Sequence, residues 1–331
     1  MNSRLSHAVS RAGLAVALAI PPAQGLRAQE VGGLPALSSV NPVAQMRSGL
    51  YFQPYRPVEP DWQITLALDY GSLAELNFRP TQPDTAYQLD AEVLRLGITV
   101  TGRLDPRHFL ILGGSLGGSY GGFLDGFLGW YHGLFGIRFP ERDLRPRDRF
   151  DYAVQLPGGQ PARREAVPLY LGDLRLGLGH RFSGHIQSVV SLTIPTCTAP
   201  SGYGLGTVAT NLITTARFPL TRRLVYEGSL GAGYTPTHGD LAPIQRSVFA
   251  MLTSGVRYRF WGPASGYANL FYHSPYYQNS GLPALDRSEL TAEFGLIFRG
   301  RSGQEWRIGV TEDPWPSGPA IDLTLRLGAS F

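Results

Sequence analysis

IDLTLRLGASF, residues 321–331, puts Ile321, Leu323, Leu325, Leu327, Ala329 and Phe331 on one face of an extended chain and Asp322, Thr324, Arg326, Gly328 and Ser330 on the other. Side chains alternate across a strand, whereas a helix would scramble these two sets. The same alternation sets Trp62, Ile64, Leu66, Leu68 and Tyr70 against Gln63, Thr65 and Asp69, and Leu94, Leu96, Ile98 and Val100 against Arg95, Gly97, Thr99 and Thr101. It returns with Leu174, Leu176 and Leu178 against Asp173, Arg175 and Gly177, and with Leu224, Tyr226 and Leu230 against Arg223, Glu227 and Ser229. Leu290, Ala292, Phe294, Leu296 and Phe298 oppose Thr291, Glu293 and Gly295; Trp306, Ile308 and Val310 oppose Arg307, Gly309 and Thr311.

Strands of soluble sandwiches average about five or six residues. Segments as long as Trp62 to Tyr70, with Arg, Asp and Glu on the minority face, suit strands that cross a membrane at a tilt, apolar toward lipid and polar toward a lumen. Aromatic residues fall near such ends: Trp62 with Tyr70, Tyr226 with Tyr234, Tyr272 with Tyr276. Composition agrees: 16% of the 331 residues are charged, below the roughly one quarter of soluble domains. Past the first 20 residues no apolar run approaches the ~18 that a spanning helix needs. A single cysteine, Cys197, excludes a disulfide framework. All 29 basic residues are Arg, and Arg4, Arg11 and Arg27 precede the expected cleavage point, so the mature chain is nearly neutral and gives no case for nucleic acid.

Connections set the topology. Short ones are read at 103–106, 183–185, 219–222, 261–266 and 300–303, and longer ones at 71–87, 119–167, 197–206, 236–246, 274–287 and 313–319. Short and long alternate if 150–156 belongs to a long excursion, which predicts an all-β, antiparallel transmembrane barrel of 12 strands with both termini on the periplasmic, short-turn side. Counting 150–156 and 48–53 as strands gives the alternative of 14. Residues 1–28 read as a signal peptide, with a basic Arg4, His7 and Arg11 region and an apolar stretch at 12–20, cleaved after Ala28 or Gly25. Residues 29–60, with Pro35, Pro42, Pro54, Pro57 and Pro60, have the composition of a periplasmic linker or a plug, and 61–331 form one barrel in the outer membrane.

Within 119–167, Phe123, Phe127, Trp130, Tyr131 and Leu134 recur at helical spacing. Gly126, Gly129 and Gly133 each cost about 1 kcal/mol relative to Ala, so this helix needs a surface to rest on. Three readings stand: a helix folded into the lumen as a partial plug, one lying at the lipid interface, and loop packing. The plug reading makes Phe123, Asp125, Phe127, Trp130 and His132 its candidate residues, with Arg142, Asp143 and Arg147 capping the mouth. The segment Gly121 to Phe127 (GGFLDGF), Arg142 with Asp143, Pro146 with Arg147 before Phe150, and Thr311 to Asp313 before a last strand ending in Phe331 resemble a bacterial family of uncharacterised outer-membrane barrel proteins. The resemblance implies the architecture and no activity. One departure is Cys197, which stands where related barrels have Gly after Pro-Thr. The terminal Phe331 also looks like the signal read by the outer-membrane barrel assembly machinery.

Chemistry in the sequence is sparse. Outer-membrane lipid hydrolases resemble one another in a His and Ser two apart on one strand face, but His273 and Ser274 are adjacent and point oppositely. His7, His108, His132, His180, His185, His238 and His273 form neither HxH nor HExxH, and no cofactor or metal is expected. The Gly repeats at 202–206 and 228–233 precede no helix. What remains is the lumen: Arg95, Arg175, Arg181, Arg217, Arg257, Arg259, Arg307 and Arg326 with Asp69, Asp173, Glu227, Glu293 and Asp322. These charges read either as an ion-paired ladder filling a narrow barrel or as a passage whose Arg excess attracts an anionic solute. The expected function is a small channel or uptake porin for a polar, anionic or amphipathic solute; the alternatives are a non-transporting structural barrel and a lipid hydrolase. Expected partners are the lipid bilayer, the assembly machinery and a small solute.

Overall fold

Long dyad strands with one apolar face cannot leave their backbone edges open in lipid, and closing the sheet removes both edges. In the computed structural model, which describes residues 33–37, 39–48, 54–57, 60–79, 82–134, 146–301, 303–313, 318–319 and 323–331, they do close. The wall begins with β1 (Trp62–Arg79), β2 (Gln82–Arg103) and β3 (His108–Tyr120). Three short strands, β4 (Asp151–Gln155), β5 (Ala162–Arg164) and β6 (Tyr170–Leu171), follow in the long excursion. The wall resumes with β7 (Leu174–Arg181), β8 (Ile186–Ile194), β9 (Ala209–Pro219), β10 (Leu224–Tyr234), β11 (Val248–Trp261), β12 (Ala264–His273), β13 (Glu289–Arg299), β14 (Glu305–Glu312) and β15 (Leu323–Ser330). β1 pairs with β15 from Thr65 facing Ser330 to Ser72 facing Leu323, which completes a closed antiparallel barrel of 12 strands.

The faces follow the alternation. Trp62, Ile64, Leu68, Leu325, Leu327, Phe294, Trp306 and Ile308 point outward and are exposed, whereas Asp69, Glu227, Arg257, Glu293, Thr311 and Arg326 point inward and are buried. The strand β4 lies within 150–156 but adds no stave to the wall: it pairs with β2 at Ala86 to Asp90, at the long-loop end.

The connection expected at 71–87 is a correction. β1 and β2 run on as a paired hairpin, with Leu73 facing Ala91 and Asn77 facing Tyr87. Above Ser72 the inward residues become apolar: Leu73, Tyr87, Leu89, Ala91 and Val93 join Tyr152, Val154, Tyr203 and Tyr277 in a core at the long-loop end. The polar-inward pattern inverts there, so it does not read as a continuation of the membrane strands.

What fills this core from within is the N-terminal segment. Its short helix α1 (Pro42–Gln45) opens with Asn41, whose side chain accepts from Val43 N at 2.9 Å and whose following Pro42 needs no donor partner. Val40, Val43, Ala44 and Met46 are buried in the same core.

The second helix, α2 (Asp125–Leu134), corrects the lumen-plug reading. Its buried residues Leu124 and Leu128 pack on Leu323, Tyr70 and Val310, which belong to the outward face of β15, β1 and β14. Phe127 and Trp130, assigned to the plug, are exposed, and Phe123, also exposed, stacks on Tyr70 of the outer face. The inside was not available to them, because the N-terminal segment occupies that position. Asp125 accepts from Asp148 N at 2.7 Å and so ties the helix start to the strand-bound return of the excursion, beside the exposed Arg147. The leader at 1–28, residues 49–53, Arg142, Asp143, Asp322 and the side chain of His132 lie outside the described residues.

Candidate functional site

Three groups of contacts seat the N-terminal segment on the inner wall. At the long-loop end, the fully buried Arg47 donates to three backbone carbonyls, Pro236 O at 3.0 Å, Thr235 O at 2.9 Å and Arg246 O at 2.7 Å. Beside it Ser48 Oγ lies 2.9 Å from His273 Nε2, while His273 Nδ1 lies 2.5 Å from Ser274 O. A carbonyl only accepts, so in the neutral imidazole Nδ1 carries the hydrogen and Nε2 accepts from the Ser48 hydroxyl. Tyr277 donates to Val43 O at 2.9 Å.

In mid-barrel, Leu34 N donates to Glu227 Oε2 at 3.1 Å and Arg257 donates to Gly33 O at 3.1 Å. At the short-turn end, Gln187 accepts from Arg56 N at 3.0 Å, and Arg181 donates to Arg56 O at 3.0 Å and Pro57 O at 2.9 Å. Burial pulls the Arg47 guanidinium below its ordinary value, opposed by Tyr277. Burial, then Arg181 and Arg103, bring Arg56 down to about 10, opposed by Asp61, so it still holds its charge at neutral pH.

Between this segment and the wall lies a cavity of about 270 Å³, opening toward the short-turn end among Pro60, Gly303 and Phe331. Six guanidinium residues, Arg56, Arg95, Arg175, Arg217, Arg299 and Arg307, line it against three carboxylates, Asp69, Asp173 and Glu305. Of the lumen residues expected from sequence, Arg95, Arg175, Arg217, Arg307, Asp69 and Asp173 meet here. The others are committed elsewhere. Arg326 pairs with Asp69 at 2.9 Å and Glu293 at 3.7 Å; Arg257 pairs with Glu305 through two bonds of 3.0 and 2.9 Å. Glu227 accepts from Leu34 and sits 3.7 Å from Arg217, and Glu293 accepts from Tyr267 at 2.9 Å. Arg181 is bound to the N-terminal segment, and Arg259, at the short-turn end, donates to Arg222 O at 3.1 Å outside the cavity.

A second cavity of about 240 Å³ lies under the long loops, lined by Met46, Arg164, Cys197, His238 and Asp240 among others. Asp173 borders both cavities and accepts from Cys197 N at 3.0 Å and Leu205 N at 2.8 Å, which holds the 195–208 loop over the barrel. Burial pushes the Cys197 thiol up, so it is no thiolate nucleophile at neutral pH. Among the described residues no group of three or more His, Cys, Asp or Glu could hold a metal ion.

Sequence reasoning missed Arg47, Arg56, Ser48, Gln187, Glu305 and Tyr277. Two of them left a trace: Arg47 and Arg56 stand in an otherwise apolar, Pro-rich stretch next to a barrel.

Residues 16–331 match the protein family described as "Protein of unknown function (DUF3187)". The chain belongs to the DUF3187 family. No curated protein matches it. Among solved structures it is similar to the COG4313 outer membrane channel from Pseudomonas putida F1, with 12% identity, coverage of 82% of this chain and 95% of that one, and a TM-score of 0.53. It also matches the Pseudomonas putida toluene transporter TodX at 11% identity, covering 89% and 97% of the two chains with a TM-score of 0.42. The NanC porin matches at 9%, covering 82% and 98%, with a TM-score of 0.44. The first of these likenesses is one of fold, a closed antiparallel β-barrel; it assigns no solute to this DUF3187 member.

Proposed function

We propose that this protein is an outer-membrane channel for uptake of a small anionic or carboxylate-bearing amphipathic solute, exported by a leader at 1–28 and plugged by residues 33–37, 39–48 and 54–57. The observation that carries the reading is the cavity beside the N-terminal segment, with six guanidinium residues against three carboxylates. A charged ring of one sign in a narrow, partly desolvated passage raises the local concentration of the opposite sign. The apolar outer wall, the exposed Trp62, Trp261 and Trp306 at the short-turn end and Tyr234 and Tyr272 at the other support a bilayer around it. Phe331 directly follows β15, the strand that would be read during assembly.

A second reading, a non-transporting structural barrel, has its own support in the ion-paired ladder and the filled core at the long-loop end. Planar-bilayer recordings of a variant lacking residues 33–48 separate the two. Under a salt gradient the reversal potential should show anion preference, and Arg95→Glu with Arg175→Glu should move it toward cations. A silent bilayer with a correctly assembled barrel supports the structural reading.

A further inference from the structure

Glu92 is a buried carboxylate on the outward face of the barrel, where a charge facing lipid is costly unless it is held by donors. Two of its donors come from the residues that lead into α2 and one from β1. Phe123 N and Leu124 N donate to Glu92 Oε1 at 2.8 and 2.5 Å, and the Tyr70 hydroxyl donates to Oε2. Leu124 O accepts from Leu128 N at 2.8 Å and so caps α2, and the dipole at this end of the helix favours an anion. Gly122, at φ +81°, is required here: a Cβ at this position would overlap Glu92. The GGFLDGF segment is therefore a built attachment of α2 to the outer wall, and Tyr70 stacks on Phe123 at 5.6 Å to complete it.

Among the described residues, the side of α2 away from the wall stays exposed. Trp130 is 60% exposed, Leu134 63% and Phe127 45%, and Phe123, just before the helix, keeps 71% exposure beside its contact with Tyr70. The glycines among them, Gly126, Gly129 and Gly133, have open space beside them. This surface is continuous with the apolar outer face of β1 and β15, since Leu68, Leu325 and Leu327 follow directly below Tyr70 and Leu323 on the same two strands. It sits at the long-loop end of the apolar band, the level at which aromatic side chains meet lipid headgroups.

We propose that α2 is an interfacial helix whose exposed aromatic face binds the acyl chains of the outer leaflet, held at its N-terminus by Glu92. The inference rests on the barrel being embedded in a bilayer but not on its conducting a solute. Continuity with the lipid-facing wall names the occupant, and an aromatic face of this kind gains from burial just below the headgroups.

Site-directed spin labelling tests it in the full chain carrying Cys197→Ser, reconstituted into phosphatidylcholine vesicles. Labels are placed at Phe127→Cys, at Ile64→Cys on the outer wall and at Gly184→Cys in an exposed turn. The Phe127 label should collide with oxygen rather than a water-soluble nickel chelate, with an oxygen-to-nickel ratio several-fold above that of the Gly184 label and close to that of the Ile64 label. Adding Glu92→Ala should lower the ratio at Phe127 and leave it unchanged at Ile64. A Phe127 label open to nickel while Ile64 is not overturns the lipid seat. Dipolar broadening at Phe127 with low access to both relaxers means that a second copy covers the helix, and also overturns it. Nickel access at Ile64 would instead overturn the membrane reading itself.

Discussion

Removing residues 33–48, with the leader and the rest of the chain intact, raises single-channel conductance several-fold. Those residues carry the Arg47 anchor to three carbonyls, the Ser48 contact with His273, α1 and the Leu34 contact with Glu227. They fill the long-loop half of a lumen only 12 strands around, a size between barrels that are filled by side chains and those that are open. Their loss joins the cavity beside them to the space under the long loops, which already share Asp173 as a wall. Deletion of 121–134 should leave conductance unchanged, because α2 packs on the outer face. The heat-dependent gel shift of folded barrels verifies assembly in both variants. An increase after the second deletion and none after the first would reverse the assignment of the two segments.

The second large effect is on stability. Arg326 holds Asp69 through two bonds of 2.9 and 3.3 Å and lies 3.7 Å from Glu293, and all three side chains are buried. Arg326→Met leaves two carboxylates facing each other without that cation, and breaking a buried pair from one side costs about 3 to 5 kcal/mol. Urea unfolding of the refolded barrel should register a loss of that order. Adding Asp69→Leu should recover part of it, since removing both partners of a buried pair costs less than removing one. Asp61→Ala, which breaks the solvent-exposed pair with Arg103, should change stability by less than about 1 kcal/mol. Equal losses for Arg326→Met and Asp61→Ala would show that the ladder carries no more weight than the surface.

The wall was legible because its signal is repeated: the dyad in β1, β7, β10, β13, β14 and β15 fixes which face is apolar, and the short turns fix the strand count. The β1–β2 extension was not, because Tyr87, Leu89 and Val93 turn an apolar face inward where the membrane rule expects a polar one. For α2 the periodicity of Phe123, Phe127 and Trp130 gave the helix but not its side, which depends on Glu92, some 30 residues away and in the sequence no different from any other strand carboxylate. In the lumen, residue types gave the charge but not the pairing. Arg257 chose Glu305, a residue at the very start of β14, and Arg47 chose carbonyls, which leave no mark in a sequence.

Occlusion of the lumen by the N-terminal segment, which must leave its seat for the channel to open, is the central claim, and a reversible cross-link tests it on one molecule. A Cβ built on Gly71 falls 2.6 Å from Val40 Cγ2, so Val40→Cys with Gly71→Cys brings two thiols near the Cβ separation of about 3.5 to 4.5 Å that a disulfide requires. With Cys197→Ser to leave no other thiol, the oxidised protein in a planar bilayer should stay closed, and dithiothreitol added to the same membrane should restore openings. Openings of equal frequency and size before and after reduction would contradict the account.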